Sequence, residues 1–426
     1  MHTFMHMRRA LATAALTFAL SGCAVAPQAR AGMQARLFTA WAASQNLPES
    51  EPALSGRTVR MIVRPTLGGA AVRIRLENTV STTPVEFSAV YVGVHDEKAR
   101  VAPGANRALT FNGRPDLALA AGASAYSDVI AFPVRAFQAL AVSLAVTRAG
   151  EIATHSLGLT TNYHAAGARA HDPSGDGFEP LPPKAGGVDS FPFYWLSALD
   201  VLSPDAAGVI VAFGDSITDG RCSTTGPDKT VAPDLHQRWT DVLAARLASA
   251  QPSRARAVVN AGVAGNRLLE RSHAGPSALE RLERDVLTLS GVTHVILFAG
   301  TNDIHRGATA DRLIAGAREI VERVRARSIR IIGATALPRG RPAGGGPGFS
   351  GVQEQYRLRY NAWIREPGNF DAVIDFDAAL SGGGTSPTGA AIMRPEYSCD
   401  FTHPNAQGYR AMGEAIDLRI FDSGSD

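Results

Sequence analysis

From residue 209 onward the chain alternates between two hydrophobic periods, and that alternation limits its possible folds more than any other feature. Short apolar runs occur at 209–213, 257–260, 294–298, 329–334 and 372–376. Stretches of helical period fill the gaps, at 238–249, 278–287, 311–327, 352–364 and 406–418. The stretch 311–327 is the clearest. Leu313, Ile314, Ile320, Val321 and Val324 share one stripe, and Thr309 is placed to cap it. Apolar strands that alternate with such helices build a parallel sheet covered on both faces. The loops that follow the strands then converge on one edge, where open α/β sheets hold their ligands. The expected fold class is therefore α/β, over residues 208–420.

The region 39–163 reads differently. Val72, Ile74 and Leu76 alternate with Arg73 and Arg75, the pattern of a strand with one wet face. Similar runs recur at 58–64, 89–94 and 139–146, and Gly68-Gly69, Pro103-Gly104 and Asn112-Gly113 mark turns between them. A β-sandwich of jelly-roll type is expected, with no chemical constellation in it. Such a domain either binds glycans or braces its neighbour, and bracing is the default. The stretch 164–207 begins rich in Gly, Pro, Asp and Ala and reads as a linker. His164, His171, Asp172 and Asp176 fall there without zinc-ligand spacing, so no metal site is expected.

The first residues belong to targeting rather than to the fold. Arg8 and Arg9 precede an apolar stretch at 10–20, too short to span a membrane, and Leu20-Ser21-Gly22-Cys23 follows. This resembles a bacterial lipoprotein signal over residues 1–23, which implies lipidation of Cys23 and attachment to a membrane. Ala24 in place of Asp favours, by analogy with lipoprotein sorting, the outer membrane. The alternative is an ordinary secretory signal cut near 29–31, leaving a periplasmic or secreted protein. Either reading implies export. With Cys23 set aside, Cys222 and Cys399 are an even pair in an oxidising compartment, either joined as a disulfide or left as two free thiols. The formal charge of +3 is too weak to imply a nucleic-acid partner, no basic run changes that, and none is expected.

Four segments carry polar groups, each just after an apolar run or before the last helix. They are Gly214-Asp215-Ser216-Ile217-Thr218-Asp219-Gly220, Asn260-Ala261-Gly262-Val263-Ala264-Gly265-Asn266, Gly300-Thr301-Asn302-Asp303 and Asp400-Phe401-Thr402-His403. A serine hydroxyl needs a base to become a nucleophile, and imidazole titrates near neutral pH. His403 supplies the imidazole, and Asp400 is placed to fix its tautomer. Acyl transfer also needs donors for the developing oxyanion. Ser216 N–H, Gly265 N–H and the Asn302 amide are the candidates. Asp215 and Asp219 read as turn-shaping residues that bond local backbone. His305 reads as a surface loop residue. No Gly-x-Ser-x-Gly occurs, which excludes an α/β-hydrolase nucleophile elbow.

As a set, these segments resemble the four motif blocks of the SGNH (GDSL-type) hydrolase family, over roughly 208–418. By matching position, the family's Ser, Gly, Asn and His are Ser216, Gly265, Asn302 and His403, with Asp400 as the acidic partner. Membership implies a flavodoxin-like three-layer α/β/α sandwich and ester hydrolysis without metal or organic cofactor. The residues between blocks, including Arg238-Trp239 and Tyr409-Arg410-Ala411-Met412, are similar to a bacterial branch with esterases acting on acetylated xylan, and the preceding β-domain fits that branch. The resemblance implies a serine esterase for short acyl groups, acetyl above all, on carbohydrate or small-molecule esters. The alternatives are a lipase or lysophospholipase, transfer of the acyl group to a sugar, and a glycan-binding lipoprotein with a vestigial hydrolase domain. Cys222 and Cys399 depart from the small residues the family pattern leads one to expect.

Overall fold

The computed structural model describes residues 1–2, 36–50, 53–182, 191–226, 228–346 and 348–422. The chain divides into Met1–Gln34 and Ala35–Asp426. The expected signal at 1–23, with Cys23, lies outside the described residues apart from its first two positions.

Residues 36–203 form antiparallel sheets. In one, Arg36–Ala42, Leu196–Ser203, Gly69–Glu77 and Ser124–Tyr126 lie side by side, and Ile130–Val134 also pairs with Gly69–Glu77. A larger sheet runs from Glu179–Pro180 through Tyr163–Ala166, Arg57–Val63, Leu140–Ala149 and Val85–His95 to Val101–Leu109. A small third sheet joins Phe193–Tyr194, Ile152–His155 and Leu47–Glu49.

Two expectations are corrected here. The stretch 164–207 is not a linker, because it supplies Leu196–Ser203 to the middle of the first sheet, between Arg36–Ala42 and Gly69–Glu77. That strand is buried on both faces, so it carries no clean alternation to read. Nor is the arginine face of Gly69–Glu77 a wet one, since Arg75 is buried and Arg73 is largely covered. Arg73 Nε bonds Asp200 at 2.9 Å, and Arg75 Nη1 reaches the Arg284 carbonyl at 3.3 Å and Thr288 Oγ1 at 3.2 Å. The polar face is the one against which the α/β half docks.

The α/β half is built on five parallel strands in the order Arg256–Gly262, Gly208–Gly214, Val292–Phe298, Arg330–Ala334 and Ala372–Ile374. In chain order that is 2-1-3-4-5, the flavodoxin-like arrangement, whose switch point lies between the first and third strands. Successive residues of Gly208–Gly214 face opposite layers. Ile210 and Ala212 pack with Trp239, Leu243, Tyr409 and Met412, from the helices Trp239–Ala250 and Ala406–Ala415. Val209, Val211 and Phe213 share a core with Leu313, Ile320 and Trp363, from Ala310–Arg325 and Gly351–Arg365. That core also contains Ile74, Val142 and Trp195 of the antiparallel sheets, so it runs on between the two halves. Thr309 caps Ala310–Arg325 as expected, accepting the Arg312 N–H.

The edge strand Arg256–Gly262 presents backbone groups that would otherwise invite further pairing. Thr66 covers it from the antiparallel half. Its Oγ1 accepts the Val258 N–H at 3.0 Å and donates to the Val258 carbonyl at 2.9 Å.

Candidate active site

Gly208–Gly214 is buried along its whole length and delivers the chain into a one-turn helix, Ser216–Asp219. Asp215 caps that turn, its side chain accepting the Ile217 N–H at 3.0 Å. Ser216 is therefore the first helical residue, and its N–H has no acceptor within the turn. Gly262, ending the neighbouring strand, comes so close that a Cβ there would lie 2.2 Å from the Asp219 nitrogen. Only glycine lets that strand end meet the serine turn.

Ser216 is 5% exposed, and its Oγ lies 2.9 Å from His403 Nε2. On the other side of the ring, His403 Nδ1 lies 2.9 Å from Asp400 Oδ2. Asp400 Oδ1 accepts the backbone N–H of Thr402 at 2.9 Å and of His403 at 2.7 Å. Burial pushes the Asp400 carboxyl up. The His403 hydrogen bond and charge, together with the two backbone amides, outweigh that and hold it well below the usual carboxylate range. With an ionised carboxylate on Nδ1–H, Nε2 is the nitrogen left to accept the serine proton.

The expected oxyanion donors end neighbouring strands. Gly265 has φ +76°, a conformation other residues adopt only with strain, and its N–H has no acceptor among the described residues. Asn302 belongs to the short helix Thr301–His305 that follows Val292–Phe298. One hydrogen of its amide goes to the Asn266 carbonyl at 2.9 Å, leaving a second to donate. Cys222 and Cys399 are joined in a disulfide with Cα atoms 6.2 Å apart, which ties the segment after Ser216 to the residue before Asp400.

Two arginines around these groups, Arg339 and Arg341, were not picked out from the sequence. Arg339 Nη1 lies 3.3 Å from the Thr301 carbonyl and 3.5 Å from Asn302 Oδ1, on the oxygen side of that amide. Arg341 Nη2 lies 3.3 Å from Thr402 Oγ1, beside the histidine loop. Asp303 accepts the Leu268 and Leu269 N–H groups at 2.8 and 3.0 Å, tying the third segment to the loop of the second. Burial raises the Asp303 carboxyl despite those amides. Asp215, also buried, is pushed up to about 7, with Asp303 adding to the rise and the Ile217 N–H, Arg339 and Arg281 opposing it. The place of Arg339 after the fourth strand was the one available signal for it.

Two expectations change. Asp219 does not bond only local backbone. Its Oδ1 lies 3.1 Å from His155 Nε2 and its Oδ2 accepts the Ala264 N–H at 2.8 Å. His305 is a half-buried helical residue rather than a loop residue. Among the described residues, His164, His171, Asp172 and Asp176 form no ligand group, and Asp172 accepts from Ser174 and pairs with Arg169. Cys222, Asp400 and His403 do offer atoms within 4.8 Å of one another. The cysteine sulfur is engaged in the disulfide and both imidazole nitrogens are bonded to Ser216 and Asp400, so this is no ligand set.

Residues 212–411 match the GDSL-like Lipase/Acylhydrolase family. No curated protein matches the chain. Among solved structures, a carbohydrate acetylesterase family member from Sinorhizobium meliloti is 18% identical, over 49% of this chain and 94% of that one, with a TM-score of 0.38. Est24, a carbohydrate acetylesterase from the same organism, is 17% identical over 49% and 95%, with a TM-score of 0.37. A GDSL-like lipase from Bacteroides thetaiotaomicron VPI-5482 is 19% identical over 50% and 88%, with a TM-score of 0.34. The substrates in those names are those proteins' own.

Proposed function

We propose that this chain, whose residues 212–411 form a GDSL-like acylhydrolase domain, is an exported serine esterase that removes short acyl groups from carbohydrate. One observation carries the chemistry, the unbroken relay from Ser216 Oγ through His403 to Asp400, with both links at 2.9 Å. Ser216 Oγ attacks the acyl carbon while its proton passes to His403 Nε2, and Asp400 stabilises the imidazolium so formed. The negative charge on the former carbonyl oxygen is met by Ser216 N–H, Gly265 N–H and the Asn302 amide. His403 returns its proton to the departing alcohol. Water then attacks the acyl-serine, with His403 as base, releasing the acid and restoring Ser216.

The reading of a short acyl group on a polar substrate rests on what surrounds the relay. Arg339 and Arg341 flank Asn302 and Thr402, and Lys229 Nζ sits 3.0 Å from the Cys399 carbonyl. Cationic head groups offer little to a long chain, whose preference rests on burying methylenes at about 0.8 kcal/mol each. Export and attachment through Cys23 rest on the signal-like leader. Loss of lipid labelling in Cys23→Ser would support that part, and unchanged labelling would remove it.

A chain-length series of p-nitrophenyl esters tests the activity. Turnover that peaks at acetyl and vanishes in Ser216→Ala is the expected result, followed by release of acetate from acetylated xylan. A peak at palmitoyl would move the substrate to lipids, and no turnover at any length would overturn the esterase reading.

A further inference from the structure

The antiparallel half contributes no group to the relay, yet one of its histidines is aimed at the catalytic edge. His155 ends the strand Ile152–His155 and is 5% exposed. Its Nδ1 lies 2.9 Å from the Ser44 carbonyl and its Nε2 lies 3.1 Å from Asp219 Oδ1. The Asp219 carboxylate beside one ring nitrogen and the Ser44 carbonyl on the other both favour the protonated ring, an imidazolium. Asp219 spends its other oxygen on the Ala264 N–H at 2.8 Å, immediately before Gly265.

The same short segment of the antiparallel half grips the far end of that loop. Asn46 Nδ2 donates to the Ala274 carbonyl at 3.1 Å, and a Cβ on Gly275 would lie 2.1 Å from the Asn46 oxygen. Ala274 in turn packs on Gly265, where a Cβ would meet its methyl at 3.3 Å. The loop carrying the expected oxyanion donor is thus braced from the antiparallel half at its far end directly, by Asn46, and before Gly265 through Asp219, by His155.

We infer that His155 is a positioning residue for catalysis, acting through Asp219 and the Ala264 N–H to hold Gly265 where an oxyanion forms. This rests on the acyl-transfer reading above. Without the imidazolium, Asp219 is a buried charge missing one partner, and it is released to turn towards other cations. Those within the same cavity, of roughly 70 Å³, are Arg238 and Arg64, with Asp241 as the opposing charge; His236 also lines it, its basicity lowered by burial and by the two arginines. Arg238 already donates to the Asp219 carbonyl at 2.7 Å. Burial alone would lower the basicity of His155, and Arg238 acts in the same direction. The charge and hydrogen bond of Asp219, with the Ser44 carbonyl, outweigh both and leave it raised. A displaced oxyanion donor lowers kcat rather than raising KM, because it bonds the tetrahedral state and not the ground state.

The test compares full-length parent, His155→Gln, Asp219→Asn and the double variant, all normalised to folded protein. On p-nitrophenyl acetate each single variant should lose about 10- to 100-fold in kcat with KM changed by less than about twofold, the scale of a small misplacement. The double variant should lose no more than the worse single one, since both break the same chain of contacts. Unchanged kcat, or losses that multiply in the double variant, would overturn the inference. Asp219→Asn, nearly isosteric, carries the comparison if His155→Gln does not fold. Hydrogen exchange without substrate separates this from failure of the esterase reading. Amides at 262–266 should exchange at least about tenfold faster in the variants while Gly208–Gly214 stays protected. Equal exchange at 262–266 would overturn the inference even if the parent hydrolysed no ester.

Discussion

The two halves of the molecule differ in how far apart in sequence their decisive contacts lie. In the α/β half, each strand hands its chain to a turn of a few residues, and the polar group needed at the edge is in that turn. Ser216 follows Gly208–Gly214, Asn302 follows Val292–Phe298, and Asp400 sits three residues before His403. In the antiparallel half the partners are distant. Arg36–Ala42 pairs with Leu196–Ser203, and Arg75 meets Arg284 and Thr288. The first half carries the chemistry and the second supplies a mould for it, and the two should respond differently to substitution.

The largest effect is expected inside the relay. His403→Ala should cut ester turnover by roughly 10⁴-fold or more. Adding Ser216→Ala should cost little further, since the two act as a unit. Thermal unfolding should barely move, because His403 bonds only neighbours at the edge. A turnover loss below about tenfold would break the assignment of local residues to chemistry.

A smaller effect, on stability instead of rate, is expected where the halves join. Arg281 is fully buried and bonds the Gly214 and Ala261 carbonyls, Asn266 Oδ1, Ser44 Oγ and Asp285. Arg281→Met removes one of the two cations on Asp285, whose carboxyl is held at about 2. Burial raises that group, and Arg284 and Arg281 more than compensate. The loss should be about 3 kcal/mol, the low end for breaking a buried pair, because Arg284 remains at 2.6 Å. Denaturant unfolding reads it directly, and a loss under about 1 kcal/mol would mean the joint is looser than its contacts suggest.

The smallest effect is a pH dependence. His155 binds its second proton more tightly when folded than when unfolded, where its pKa is about 6.5. Its contribution to stability is therefore complete below about pH 6.5 and is lost as pH rises through the raised folded value. The gap in melting temperature between the parent and His155→Gln should be widest near pH 6 and narrow towards pH 9. A gap that widens with pH would mean the ring is neutral when folded.

Much of the candidate site was legible because its logic is local. An apolar run of β-branched residues can only be a buried strand when helical periods flank it, and the polar residues at its end must then lie at the sheet edge. Leu196–Ser203 was missed for the opposite reason. It follows a Gly- and Pro-rich stretch and is buried on both faces, so neither composition nor alternation marked it as a central strand. His155 was missed because nothing within several residues of it concerns catalysis, and its partner Asp219 lies 64 positions away in a turn where Asp is common. Arg73 and Arg75 were read as facing water because alternation reports two faces without saying what covers the second.

Reading residues in order thus settled the parallel sheet, the edge where its loops meet, and the serine, histidine and aspartate that gather there. Short-range periodicity and turn chemistry determine those features within a few residues of each strand. Folding in three dimensions decided the rest, from the sheet that accepts Leu196–Ser203 to the face that Arg75 presents and the imidazolium that holds the loop before Gly265. Such contacts close over scores or hundreds of residues and depend on which buried donor finds which buried acceptor, and no local pattern encodes that pairing.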